Sequence, residues 1–235
     1  MTKKRYFMCL WALCSVYPIV KTIKMLTEYY AVEETLFPFF IPILFLIASI
    51  CMYGFFLSLG MDFAKKIEMR FLLLDTHGDW NRDLFKPAML MSVLYVAVVL
   101  LVNAAMPLAS FEVLEGRSFV GLFLKMFSVI SHDATMLLFS LSGFAFLLKK
   151  IAHNISLSII MPISIVLIAL VNSTDLFWQL GVESLMPQVV IGLQFVMSVM
   201  LGMLFWRKGF ETALLCHVII AAMLYVCAPQ LILGR

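Results

Sequence analysis

Apolar runs recur along the whole chain, each roughly 17–25 residues long, the length needed to carry a helix across about 30 Å of hydrocarbon. That recurrence leaves few ways to fold. Lipid offers no partner to a free backbone N–H or C=O, so each run has to close its own hydrogen bonds as helix. A water-soluble fold is excluded by the balance of residue types. Hydrophobic residues make up 63% and charged residues 13% of the 235 positions, too much apolar surface for a domain of this size to bury. The expected class is an all-α, polytopic membrane helical bundle. Seven spanning helices are predicted, at roughly 6–23, 38–62, 88–109, 120–148, 155–172, 187–206 and 210–232. The fourth is long enough to be two pieces, with 120–131 partly at the interface as an eighth element. No repeat or second soluble region interrupts the pattern, so residues 1–235 read as a single membrane domain.

Basic residues orient the bundle. Twelve of the seventeen Lys and Arg fall on one side of this layout: Lys3, Lys4, Arg5, Lys65, Lys66, Arg70, Arg82, Lys86, Lys149, Lys150, Arg207 and Lys208. Lys21, Lys24, Arg117 and Arg235 fall on the other, and Lys125 sits near a helix start. The N-terminus is therefore expected in the cytoplasm and the C-terminus outside. Lys3-Lys4-Arg5 ahead of an apolar run mimics a signal peptide, but no small-x-small cleavage site follows, so a retained signal anchor is expected. The bilayer is the first expected partner, and a bacterial inner (plasma) membrane fits the short basic N-terminus. A net charge of +3, scattered along the chain, gives no footprint for nucleic acid. The longest polar stretch, Asp62 to Lys86, reads either as a surface-lying amphipathic segment or as a solvated connector. Cys9, Cys14, Cys51, Cys216 and Cys227 lie inside apolar runs without ligand spacing and read as small packing residues.

Ionisable groups inside the apolar runs are few, and lipid makes each costly, by about 2.5–3.5 kcal/mol for an Asp at a helix centre. His217 lies about nine residues into the last run, near mid-depth. Its structural alternative is a cross-helix hydrogen bond, with Ala213 and Ala221 on the same face allowing close approach. His132-Asp133 lies in the fourth helix. Asp133 either caps a spanning helix at a break or pairs with His217. A His–carboxylate couple could orient water, and His132, Asp133 and His217 together could bind a metal such as zinc. Asn172 and Thr174 close the predicted fifth helix, where capping roles are common, and Gln194 sits in the sixth. Glu211 falls in the first turn of the seventh, where a carboxylate favours the helix dipole, and is given no catalytic role.

Three segments in fixed order carry a family resemblance: "LFSLSGFAFLLKK", then an apolar helix ending "IALVN", then "MPQVVIGLQFVMSVMLGMLFWRKGFETALLCHVIIA". Residues 120–232 resemble the CPBP (Abi, or CAAX-protease-like) family of intramembrane proteins. The resemblance implies a site in which motif glutamates activate water and motif histidines hold the reacting groups. The third-motif histidine falls on His217 and its asparagine on Ala221; the second-motif histidine falls on Asn172. The double glutamate falls near Thr135-Met136 or Leu137-Leu138, so the carboxylates are missing and Asp133 is the nearest replacement.

Three functions follow. The first is a non-catalytic or diverged CPBP-type protein that binds a peptide, a lipid-linked substrate or a partner membrane protein. The second is an active intramembrane endopeptidase using His132, Asp133 and His217, with Asn172 as a further candidate. The third is a transporter or membrane-complex subunit with an Asp133–His217 proton relay. The missing glutamates favour the first over the second; the missing inverted repeat counts against the third. Hydrogen-bond contact between Asp133 and His217 would weaken the first.

Overall fold

The computed structural model describes residues 2–30, 37–74, 80–105, 119–180 and 185–232, and these are helical apart from short turns. The helices are α1 (Lys3–Tyr30), α2 (Phe37–Lys66), α3 (Lys86–Ala105), α4 (Phe119–Asp133), α5 (Ser142–Ile151), α6 (Leu157–Leu180), α7 (Leu185–Lys208) and α8 (Phe210–Ile232). A π-helical turn, Asn81–Phe85, leads into α3. A second π-helical segment, Ala134–Leu141, joins α4 to α5 without a break. Among the described residues the rods number seven, as the apolar runs require, and the long fourth one is continuous instead of splitting into an interfacial and a spanning piece. Six of the rods are long and apolar enough to cross a membrane, and Phe210–Val226 supplies a shorter apolar stretch. The protein is a multi-pass helical membrane protein.

Two helices outrun their predicted ends. α1 continues past Lys21 and Lys24, and α6 continues past Asn172. Their polar residues do not compete with the helix. Thr27 Oγ1 donates to the Lys24 carbonyl, Ser173 Oγ to Ala169 and Thr174 Oγ1 to Val171, so the hydroxyls bond back to the same helix. Residues 106–109 of the third predicted span lie outside the described residues, as do Arg117 and Arg235.

Packing runs through small residues. α1 pairs with α2 and α6 with α7 as hairpins; α8 lies against α3, α4 and α7. The π segment sits centrally, against α2, α6 and α7. Gly60 of α2 meets its backbone directly: a Cβ there would lie 2.6 Å from the Leu138 carbonyl oxygen. Gly202 of α7 is similarly tight on Ile165 of α6. Without a hydrophobic drive between helices in lipid, such close approach is what holds them together. Large side chains such as Leu44, Phe55, Leu90, Leu101, Ile159 and Val171 point outward instead, as lipid contact requires.

The basic end of the bundle is knitted by ion pairs and a buried carboxylate. Lys3 pairs with Asp62 at 2.9 Å and Lys208 with Asp83 at 3.0 Å. The Lys66 ammonium lies 4.9 Å from the Phe146 ring centre. The starts of α1 and α3 thus meet the ends of α2, α5 and α7 on one face, the arrangement that the alternation of basic residues anticipated. The stretch after α2 alternates buried and exposed residues where it is described, with Glu68 and Arg70 exposed, the pattern of an amphipathic segment and not of a fully solvated connector. Residues 67–74 fold beneath the bundle, burying Ile67, Met69 and Leu72, while 75–79 lie outside the described residues. Glu211, in the first turn of α8, holds them. Its Oε2 accepts from the Leu72 N–H at 3.0 Å and its Oε1 from the Leu73 N–H at 3.2 Å. Tyr6 also hydrogen-bonds to it. The α7–α8 turn needs Gly209: its φ is +111°, and a Cβ would sit 2.9 Å from the Arg70 carbonyl oxygen.

Gly60→Ala should destabilise the protein by about 1–3 kcal/mol through overpacking, whereas Gly192→Ala, where a Cβ meets nothing within 4 Å, should not; thermal unfolding in detergent compares them. Glu211→Gln can no longer accept both backbone N–H groups through carboxylate oxygens, so residues 67–74 should exchange amide hydrogens at least about tenfold faster, as for loss of about 1.5–3 kcal/mol in a charge-assisted bond.

Candidate functional site

Four helical elements bring polar residues to one small, partly enclosed cavity. α4 ends in His132 and Asp133, α6 contributes Asn172, α7 contributes Gln194 and Ser198, and α8 contributes His217. Local packing fixes each element. Ser92 of α3 donates to the Cys216 carbonyl at 3.0 Å, next to His217. Ser131 donates to the Cys14 carbonyl at 3.0 Å, tying α4 to α1 two residues before Asp133. Ala213 and Ala221, one turn either side of His217, are both buried, so the small-residue face serves close helix contact.

The centre of the site is a single bond. Asp133 Oδ1 and His217 Nδ1 lie 2.8 Å apart. Asp133 is 1% exposed and His217 8%. With the carboxylate ionised, Nδ1–H donates to it, which fixes the tautomer and leaves Nε2 as a basic acceptor. The other carboxylate oxygen, Asp133 Oδ2, has no hydrogen-bond partner and no exposed surface. A buried acceptor left open in this way calls for a solvent partner. The adjoining cavity, about 20 Å³, has room for one water and little more.

Asp133 is not a helix cap. It has helical φ and ψ, makes no capping bond, and the chain continues into the π segment at Ala134. The capping alternative therefore fails, because there is no break to cap. Asn172 is not at a helix end either. It lies within α6 and its Nδ2 donates across to Ser198 Oγ on α7 at 2.8 Å. The His132 ring stands edge-on to His217, with centroids 6.4 Å apart. All four candidate residues from the sequence thus line the same cavity.

Among the described residues no group of three or more His, Cys, Asp or Glu side chains is placed to share a metal ion. His132, Asp133 and His217 are neighbours, but their donor atoms are not grouped as a metal site.

Ser198 was not singled out in the sequence, and Gln194 was given no role. Their signal was available: Gln194, Ser198 and Gly202 recur every four residues and share one face of α7. The π segment had no comparable sequence signal. It begins directly after Asp133, and such segments are frequent at functional sites.

No family model, curated protein or solved structure matches this chain.

His217→Ala leaves a buried carboxylate without its partner and should cost about 3–5 kcal/mol. The double variant Asp133→Leu/His217→Leu, which removes both polar groups, should recover most of that loss. Unfolding free energies measured in mixed micelles give the comparison.

Proposed function

We propose that this protein is a diverged intramembrane hydrolase of the CPBP type, in which the Asp133–His217 couple has taken over water activation from the family's glutamates. The 2.8 Å bond between Asp133 and His217 carries the reading. It supplies a general base whose imidazole is oriented by a carboxylate, next to a cavity of one-water size. His217 Nε2 accepts a proton from that water as its oxygen attacks the carbonyl carbon of a peptide bond. The C–N bond then breaks, and the proton passes from His217 to the departing nitrogen. Asn172, held by Ser198, presents an amide beside the same cavity. Its remaining N–H would support the oxyanion. A substrate has to reach this point from lipid.

One observation favours a second reading. The cavity admits a water but no peptide. A protein that keeps this arrangement closed would use the surrounding helices to bind a partner membrane protein or lipid-linked peptide without cutting it.

The test compares membrane-protein fragments in cells carrying wild type, Asp133→Asn or His217→Gln, read by mass spectrometry of new N-termini. Both variants retain a hydrogen-bonding group and should be inserted normally. Hydrolysis predicts cleavage reduced at least about 100-fold in both. Identical fragments in all three strains, with partners still co-purifying, would leave only the binding reading.

A further inference from the structure

We propose that the clefts at the start of α1 bind the phosphodiester head group of an anionic phospholipid. Two adjoining clefts, of about 390 and 410 Å³, lie between α1, the end of α2 and the folded segment 67–74, and they share Lys3 and Met61. Each is of the size that holds a small ligand. The first has Lys3 and Lys4 at its rim; the second has Lys3 and Lys65. Two carboxylates also face this region. Asp62 is neutralised by Lys3 in an exposed pair, and Glu68 borders the second cleft. Lys4 and Lys65 make no ion pair among the described residues, so the surplus charge is positive.

The apolar walls point to a lipid in preference to a free anion. Phe7 and Met61 line the first cleft, and Met69, Phe71 and Leu74 line the second, beneath the ammonium groups. A phosphate at the rim would put glycerol and the first acyl carbons against these side chains. The clefts lie at the ends of two apolar helices long enough to span a membrane, the start of α1 and the end of α2. The wall is also preformed. Glu211 holds the Leu72 and Leu73 backbone, and Phe71 packs edge-on against Tyr6 at 5.7 Å. Basic residues beside a membrane attract anionic head groups in any case; what these clefts add is a shaped, half-apolar seat for one of them.

The experiment uses the full chain in detergent, titrated with phosphatidylglycerol or phosphatidylcholine and read by native mass spectrometry. Retention of phosphatidylglycerol but not phosphatidylcholine is expected. Lys3→Gln/Lys65→Gln should weaken it roughly 30-fold, as for two membrane-surface lysines. The control Lys86→Gln/Lys150→Gln removes equal charge from the same end outside the clefts and should leave binding within about twofold. Equal loss in both variants would overturn the site in favour of diffuse attraction. Displacement by millimolar glycerol phosphate or inorganic phosphate would show a free-anion site and overturn the lipid assignment.

Discussion

The bond between Asp133 and His217 is the constraint around which the bundle is arranged. A carboxylate that is fully buried among lipid-spanning helices cannot be left alone. Its partner is 84 positions away in sequence and on a different helix. To bring the two together, α4 and α8 must pack closely at one depth, and the buried alanines at 213 and 221 permit it. Ser92 and Ser131 then secure the neighbouring helices through bonds to backbone carbonyls. The orphaned Asp133 Oδ2 and the small cavity are what remains unsatisfied, which is why chemistry is sought there.

The basic end of the bundle works by a different logic. Here charged groups can reach water, so exposed pairs such as Lys3–Asp62 contribute little individually. The stronger device is Glu211, which is buried and satisfied by two backbone N–H groups. It sits six residues before His217 on the same helix. The segment after α2 is therefore fastened to the helix that carries the candidate base, and the fold joins its water-facing end to its membrane interior through one rod.

Much of this was legible in the chain. The lengths of the apolar runs gave the seven rods, and the alternation of basic residues matched the ends that meet in space. Asp133 and His217 stood out because each is costly in lipid. Other features left little trace. Glu211 looked like a favourable charge at a helix start, since nothing nearby in sequence shows that residues 72 and 73 return to meet it. Asn172 looked terminal because polar residues cluster there, yet the hydroxyls around it bond back into the helix and let it run on. The π segment packs where Gly60 closely approaches the Leu138 backbone, a contact between two helices that spacing along the chain does not show.

Sequence alone determined that the chain spans a membrane as helices, because backbone groups in lipid admit no other solution, and it marked which side chains could not remain unpartnered. Only the tertiary structure decided which partners they found. Helix packing is set by small residues and shape, and these bring Asp133, Asn172, Ser198 and His217 to a single cavity from four separate helices. Spacing along one strand of sequence carries no record of that meeting, since a hydrogen bond depends on distance and direction in space.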